Sequence, residues 1–453
     1  MSEQQVATSE GVTARLAAFV TDTRLEQIPS ATQHVAKRAL LDVLGVALGA
    51  TEEPAVRIAR DVARMLGGAR QATLWGTTER TSLTQAALVA GIMAHVLDYD
   101  DTHLPTILHP SAPLAAAALP VAEWRRASGA ELLAAFLVGF EVEARVALSV
   151  CPAHYDAGWH VTGTAGVFGA AAATARLLGL DARRTAAALG AAAAQAAGLR
   201  EMFGSMCKAL HAGKAAENGV LAALLAREGF TAPAEPLAGR RGFGAVLTSR
   251  FAPGALAEAL GERWEVHRNA FKPYACGVVT HPAIDAARQL RALGYETAAL
   301  ARVELFVHPL VLELCGKREP QSGLEGKFSV YHCAAVGFLD DAAGPAQFTD
   351  AMVRRDDVVA LRRKIEATVD PALEEDQARL VAHLVDGRPV EVFVPHASGT
   401  LENPLSDEAL AAKFRAVTAP VLGAERAEAL LARLWHLEAE PDVAALAALL
   451  ARP

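Results

Sequence analysis

The sequence predicts a mainly α-helical protein that combines a large all-helical domain with a smaller α+β domain. Its 453 residues exceed what one hydrophobic core usually supports, since domains commonly hold about 100–200 residues. Hydrophobic residues make up 52% of the chain and charged residues 21%, which suits a large buried interior. Alanine dominates the apolar residues, and small side chains at helical spacing let helix backbones approach closely.

Helical periodicity extends over more than half of the chain. Between Val12 and about Leu260, apolar residues recur at spacings of three and four, as in helices with one buried face. The same pattern returns after Ser406, and because its apolar face needs cover, we expect these last helices to pack on the first ones. One helical domain is therefore predicted from residues 1–265 and 400–453. Predicted helices in its first part lie at residues 13–20, 31–48, 54–65, 83–97, 130–148, 164–178 and 181–198.

The pattern changes near residue 265. β-branched residues and alternation over residues 303–307 and 380–394 predict strands, with Asp386-Gly387 as a hairpin turn. Helical patterns at residues 282–293 and 331–339 lie among them. Residues 266–399 are therefore predicted to form the smaller α+β domain.

The composition disfavours several classes of protein. A net charge of −8 and a pI near 6 argue against a nucleic-acid partner, which would need a basic stripe. The N-terminus lacks the features of an export signal, and the apolar stretches fall short of the roughly 20 residues of a membrane span. The five cysteines are scattered without a CxxC pair, so neither a disulfide framework nor a zinc ribbon is predicted. A cytoplasmic protein without a membrane partner fits these features.

Four short polar segments interrupt the apolar helices, and each contains residues that are costly to bury without partners. The first is HVLDYDDTH at residues 95–103, followed closely by a His-Pro pair. If the preceding helix continues through it, His95, Asp98 and Thr102 share one face. Asp100 and Asp101 would then be caps or surface charges.

A metal centre is the alternative interpretation of this first segment, because imidazole and carboxylate groups are ordinary ligands of zinc and iron. The segment lacks HExxH and other close metal-binding spacings. A helix end with hydrogen-bonded Asp and His side chains is the commoner arrangement, so no metal ligand is predicted.

The second segment, GWHVTGT at residues 158–164, precedes a helix rich in Ala and Gly. The free N–H groups at the start of that helix could hold a carboxylate, with His160 beside them. The alternative is structural, with Thr162 or Thr164 capping the helix and His160 packed against Trp159.

The third segment, at residues 200–214, places Lys208 among apolar and small residues. A buried ammonium group is costly unless an anion meets it, so an acidic ligand would account for Lys208. An internal salt bridge, or a side chain that reaches solvent, would account for it equally well.

The fourth segment, at residues 271–282, places Lys272 at the junction of the two domains. Thr280 and Pro282 are typical of a helix cap and a first-turn proline. Cys276 lies near His281, as a nucleophile and its base would, but a small buried thiol is the commoner interpretation.

These four segments, together with three others, resemble the MmgE/PrpD family across nearly the whole chain. The others are LLDVLGVALGA, KFSVYHCAAVGFLD and GTLENPLSDEALAAKF. The family includes 2-methylcitrate dehydratase, cis-aconitate decarboxylase and iminodisuccinate epimerase. The resemblance implies a helical domain, an α+β lid and a homodimer, with neither a metal nor an organic cofactor.

The resemblance also implies a site. One position departs from the family pattern, because His332 occupies the place of the usual Tyr before Cys and Tyr331 is displaced by one residue. A histidine could still donate a proton there, so His332 is a catalytic candidate and Tyr331 a substrate-binding one. The residues that match the family's pocket are Asp98, Thr102, His109, His160, Lys208 and Lys272.

Dehydration, decarboxylation and epimerisation beside a carboxylate all pass through carbanion or enolate character at carbon. Lys208 and Lys272 suit the stabilisation of this negative charge, and His109 and His160 suit proton transfer. Asp98 and Thr102 could orient the histidines or bind a hydroxyl group. We therefore expect a lyase that acts on a small di- or tricarboxylic acid. An epimerase or isomerase of a dicarboxylate, or a homodimer that binds a polycarboxylate without turnover, is the alternative.

The two lysines lie in different predicted domains. We therefore expect closure of the lid to bring Lys272 towards Lys208, and the carboxylates of the substrate to offset the repulsion between them.

Overall fold

A computed structural model of the protein describes residues 11–452. The N-terminal segment, where the sequence predicts no export signal, lies outside the described residues apart from its last glycine. The predicted fold class is confirmed, because helices dominate and a small sheet is confined to the later part of the chain. Across residues 11–452, no helix combines the length and the apolar character needed to cross a membrane.

The first part of the chain is helical, and its strands are two-residue pairs. In order, its helices are α1 Val12–Asp22, α2 Ser30–Gly49, α3 Pro54–Leu66, α4 Leu83–His95, α5 Ser111–Arg125, α6 Gly129–Val150, α7 Ala153–Asp156, α8 Val161–Leu177, α9 Ala182–Ala193, α10 Met206–Arg227 and α11 Phe243–Leu247. Its strand pairs are β1 Ala72–Thr73 with β2 Arg80–Thr81, and β3 Thr102–His103 with β4 Asn269–Ala270.

Small residues let the central helices touch through their backbones. A Cβ atom on Gly91 of α4 would come within 2.7 Å of the Cα atom of Gly213 in α10. Any larger residue would therefore push α4 and α10 apart. This contact matters for the site, because α4 leads into the first polar segment and α10 carries Lys208.

The α+β part contains a four-stranded sheet of order β6-β5-β7-β8. Strands β5 and β6 are parallel and the other neighbours are antiparallel, with the predicted hairpin turn at Asp386-Gly387 between β7 and β8. Alternate residues of β7 are buried, and α12 packs on β7 and β8. The elements are α12 His281–Ala292, β5 Leu300–Val307, α13 Pro309–Cys315, α14 Gly323–Gly326, α15 Val330–Asp340, α16 Asp350–Val353, α17 Asp356–Lys364, β6 Ile365–Val369, β7 Ala378–Leu384 and β8 Pro389–Val394.

The last helices, α18 Asp407–Leu422, α19 Ala424–Trp435 and α20 Val443–Ala447, return to the helical part. Helix α18 packs against α2. Phe414 fills the space beside Gly45, and Lys413 forms a buried ion pair with Asp42 at 2.7 Å. The C-terminal helices therefore help to fix the core of the helical part next to the candidate site.

Candidate active site

A small cavity lies where the helical part meets the α+β part, and five predicted site residues line it. Asp98 follows α4, His109 precedes α5, and His160 precedes α8. Lys208 lies in the first turn of α10. Lys272 lies in the segment between β4 and α12. The predicted site residues among those that line the cavity are Asp98, His109, His160, Lys208 and Lys272.

The two lysines share one carboxylate. Nζ of Lys208 lies 2.9 Å from Oδ1 of Asp98, and Nζ of Lys272 lies 2.7 Å from the same oxygen. All three side chains are buried. Asp98 therefore already offsets part of the repulsion between the lysines, which we expected the carboxylates of the substrate to offset. Of the residues that line the cavity, two carry ammonium groups and one carries a carboxylate, so the lining has a surplus positive charge.

Electrostatics favour the charged forms of Asp98 and Lys272, whereas burial disfavours the charged form of Lys208. Burial alone would raise the pKa of Asp98, but Lys208 and Lys272 hold that pKa well below its ordinary value. Burial also opposes the charge on Lys272, yet Asp98 and Asp100 raise the pKa of Lys272. The pKa of Lys208 is lowered, because its burial outweighs the attraction of Asp98. Lys208 also lies 5.4 Å and 5.5 Å from the ring centres of Phe203 and Phe328, which favours an ammonium group.

The helix does not continue through Asp98 and Thr102, so His95, Asp98 and Thr102 do not share one helix face. Helix α4 ends at His95, Asp98 adopts a left-handed backbone with φ of 50°, and Thr102 belongs to strand β3. Three buried lysines hold consecutive backbone carbonyl groups of the intervening loop. The pairs are Lys327 with Leu97 at 2.6 Å, Lys272 with Asp98 at 3.1 Å, and Lys413 with Tyr99 at 2.7 Å.

Asp100 and Asp101 are buried, so the prediction that they are surface charges is wrong, although Asp101 does accept the backbone N–H of Ser111, the first residue of α5, at 3.3 Å. Asp100 accepts a hydrogen bond from Nδ1 of His95 at 2.8 Å. Asp101 accepts hydrogen bonds from the Ser111 hydroxyl and from Nδ2 of Asn269. Burial raises the pKa of Asp101 to about 7 against these hydrogen bonds. These hydrogen-bond partners, which the sequence pattern does not show, offset part of the cost of burying the two carboxyl groups.

The ring of His109 is fixed in one tautomer. Its Nδ1 lies 2.9 Å from the backbone carbonyl oxygen of Asp101. A carbonyl group can only accept, so Nδ1 carries a proton, and Nε2 of the neutral ring carries a lone pair. Burial, and then the charge of Lys272, hold the pKa of His109 well below its ordinary value. His109 therefore suits the role of a base at the cavity wall.

His160 lies immediately before the first residue of α8, as the second polar segment predicts. Its Nδ1 is 2.8 Å from Nδ1 of His211 in α10. Its Nε2 is buried and lacks a hydrogen-bond partner among residues 11–452. Burial, and then the nearby His95 and Lys208, hold the pKa of His160 well below its ordinary value. Both cavity histidines are thus favoured in their neutral forms.

The other three predicted site residues lie away from the cavity wall. The hydroxyl of Thr102 is 3.4 Å from Nδ1 of His109, behind that ring. Nε2 of His332 lies 2.9 Å from the carbonyl oxygen of Gln347, so this histidine is engaged inside the α+β part. The ring of Tyr331 packs against the guanidinium group of Arg318 at 5.1 Å.

Cys276 is buried beside the site, with Sγ 3.2 Å from the hydroxyl of Thr280. Burial opposes its ionisation, but hydrogen bonds from Cys333 and His281 hold the pKa of Cys276 well below its ordinary value. The side chain of Thr280 does not cap α12, because its hydroxyl donates to the carbonyl of Gly277 at 2.8 Å. Cys276 lies outside the described cavity lining.

Two groups among residues 11–452 bring possible metal donors together. One is His95, Asp100 and His109, beside the cavity, and the other is Asp376, His396 and Glu402. In the first group, Nδ1 of His95 donates to Asp100, and Nδ1 of His109 donates to a carbonyl group. A metal at these nitrogens would have to displace both protons. Hydrogen bonding therefore accounts for the arrangement without an ion.

Sequence reasoning missed several residues of the site. Lys327 and Lys413 each hold the Asp98 loop, and each lies in a segment that carries the family resemblance, KFSVYHCAAVGFLD and GTLENPLSDEALAAKF. Tyr155 of α7 lines the cavity, and its ring stacks on Arg200 at 4.1 Å. It lies five residues before His160, so it could have been noticed as part of the second polar segment.

The fold and the cavity define a two-part, mainly helical protein with a buried cationic site and neutral histidines beside it. Residues 14–255 match the MmgE/PrpD N-terminal domain, and residues 274–437 match the MmgE/PrpD C-terminal domain. The chain therefore belongs to the MmgE/PrpD family, as its motifs predict.

The chain is also similar to enzymes of the lyase class over nearly its whole length. Cis-aconitate decarboxylase of Homo sapiens is 29% identical over 434 residues, which cover 92% of this chain and 90% of that protein. The enzyme of the same name from Mus musculus is 27% identical over 98% of this chain and 94% of its own. That from Aspergillus terreus is 26% identical over 98% and 96%.

Proposed function

We propose that this protein is a lyase that acts on a small di- or tricarboxylic acid, and that it decarboxylates a cis-aconitate-like acid. The observation that carries the proposal is the pair of buried lysines on a single carboxylate. Their surplus positive charge, in a cavity also lined by two neutral histidines, calls for an anionic ligand. Similarity to three enzymes named cis-aconitate decarboxylase supports the choice of reaction.

The proposed reaction balances with the groups present. The bond between carbon and one substrate carboxylate breaks, CO2 leaves, and the electron pair remains on carbon, where Lys208 and Lys272 stabilise the adjacent charge. An anionic substrate raises the proton affinity of His109, which takes up a proton from water at Nε2 as the substrate binds. His109 then passes this proton to carbon and returns to its neutral form.

Dehydration of a citrate-like acid is the second candidate, and the tautomer of His109 favours it. A lone pair on Nε2 can remove a proton from carbon directly. Epimerisation of a dicarboxylate would use the same step and return the proton to the other face. A protein that binds the acid without turnover remains the non-catalytic alternative, although it would have no need of a base beside the lysines.

The assay that separates these reactions is NMR in D2O with cis-aconitate, citrate, 2-methylcitrate and aspartate-derived acids. We expect CO2 release from cis-aconitate with one deuterium incorporated at carbon, unchanged by EDTA. Loss of water, or exchange of deuterium with a change of optical rotation, would favour the alternatives instead. Inactivity on every acid would contradict the enzymatic proposal, and calorimetry would then show whether the protein binds them. Loss of turnover in EDTA that zinc or iron restores would contradict independence from metals.

We also propose a cytoplasmic homodimer. The exposed face of α3 carries four large apolar side chains in a stripe, which supports a subunit contact there: Ile58, Val62, Met65 and Leu66. The five cysteines are all free, as a reducing compartment would keep them. Light scattering on the purified protein should give twice the mass of one chain, and a monomer would contradict this.

A further inference from the structure

A half-buried histidine, His211, contacts the cavity histidine His160 from outside the cavity lining. It lies one turn after Lys208 on α10, and its Nδ1 is 2.8 Å from Nδ1 of His160. The opposite nitrogen of His160, Nε2, is buried with no partner among the described residues, although the ring lines the cavity. A buried polar atom of this kind indicates a ligand that would complete its hydrogen bonding.

Two glycines leave room for the side chain of His211 beside His160. A Cβ atom on Gly163 would lie 3.1 Å from Cβ of His211, and one on Gly198 would lie 3.4 Å from Cγ. Gly198 has φ of 149°, which a residue with a side chain rarely adopts, and its carbonyl accepts the backbone N–H of His160 at 3.0 Å. The backbone around His160 is therefore shaped to admit the ring of His211.

Two ring nitrogens at this distance must share one proton. Two lone pairs would repel each other, and two N–H groups would collide. If His160 donates, its Nε2 is left with a lone pair. If His211 donates, neutral His160 must carry its own proton on Nε2. The direction of this one hydrogen bond therefore decides what His160 presents to the cavity.

We propose that His211 donates its Nδ1 proton to Nδ1 of His160, and so fixes the tautomer of His160 whose Nε2–H binds a carboxylate oxygen of the substrate. This inference rests on the proposed function, in which the cavity takes an anion. A lone pair on Nε2 would repel a carboxylate oxygen, whereas an N–H group attracts it. His109 already supplies a lone pair for proton transfer, so the two histidines have opposite tautomers and different tasks.

His211 is thus a positioning residue, and a matched pair of variants tests its role. His211→Asn and His211→Asp have the same shape, but only the amide can donate to Nδ1 of His160, whereas an ionised carboxylate can only accept. We expect His211→Asn to keep kcat/KM within about tenfold of the original. His211→Asp should lose about 100-fold, the scale of losing one donor to a developing oxyanion.

The tautomer can be read directly by ¹⁵N NMR of histidine-labelled protein. In the unchanged protein and in His211→Asn, we expect neutral His160 to be protonated at Nε2, and in His211→Asp at Nδ1. A proton on Nδ1 of His160 in the unchanged protein would overturn the inference, as would equal kinetic losses in the two variants. The spectrum of the unchanged protein needs no substrate, so this result stands even if the acids tested for the proposed function are not turned over.

Discussion

A single backbone contact sets the chemistry of the proposed base. Because the carbonyl group of Asp101 accepts from Nδ1 of His109, Nε2 of His109 must carry the lone pair. The same ring is buried beside cations, which keeps it neutral as long as no anionic ligand is bound. The role of His109 therefore depends on its neighbours more than on its being a histidine.

Replacement of His109 by Asn should separate catalysis from binding. The Asn amide can still donate towards the Asp101 carbonyl, so the fold should persist, but it cannot carry the transferred proton. We expect kcat to fall by about 10²–10⁴-fold with little change in KM, as measured by steady-state kinetics. His383→Asn, on the sheet away from the cavity, is a control that should leave both constants unchanged. Normal turnover in His109→Asn would contradict this role and would indicate that His160 or another group transfers the proton.

At the scale of elements, the loop at residues 97–101 shows what the sequence pattern could and could not predict. Helical periodicity correctly predicts α4, but the predicted helix ends two residues later than the observed one. The periodicity does not indicate the left-handed turn at Asp98. The lysines that hold this loop lie 174 to 314 positions away in sequence. A local pattern cannot show such contacts.

Lys327 offers a test of this loop through its pKa, which burial lowers to about 8 from an ordinary value of 10.5. Between these values the unfolded chain holds a proton that the folded protein has released, so the contribution of Lys327 to stability rises with pH. We therefore expect the free energy of unfolding of the original protein, minus that of Lys327→Met, to rise by roughly 3 kcal/mol from pH 8 to 10.5. Urea unfolding across this range measures it.

A difference in unfolding free energy between the original protein and Lys327→Met that does not change from pH 8 to 10.5 would contradict the account of Lys327. The neutral amine still has two N–H groups, enough for the carbonyl groups of Leu97 and Ala275 that Lys327 contacts at 2.6 Å and 3.0 Å. The rise in stability should therefore not be accompanied by loss of the fold.

At the scale of the whole molecule, the two parts were predictable but their junction was not. Periodicity is local, so helices such as α2, α6 and α8, the strands β5, β7 and β8 and the hairpin turn followed from the sequence, whereas α5, α10 and β6 were not predicted. Burial of Asp100 and Asp101 did not, because it depends on His95, Ser111 and Asn269, which only the fold brings to them. The family resemblance identified five of the residues that line the cavity, whereas His332 and Tyr331 proved to lie elsewhere in the α+β part.

The cavity at this junction encloses about 30 Å³, room for about two water molecules. A di- or tricarboxylic acid is larger, so its entry requires the walls to separate. Lys208 and Phe203 come from the helical part, and Lys272 and Phe328 come from the later part of the chain. Movement between the two parts would therefore open the site, in keeping with the proposed lid.

The central claim is that Lys208 and Lys272 together form the site for the acid. Calorimetry with cis-aconitate tests it most directly, on the original protein and on Lys208→Met, Lys272→Met and Lys214→Met. Lys214 is an exposed lysine of α10 and serves as the matched control. We expect Lys208→Met and Lys272→Met each to weaken binding by at least about 30-fold, as the loss of a buried charged partner implies, and Lys214→Met to bind normally. Normal binding in both buried-lysine variants, with the fold intact, would contradict the account.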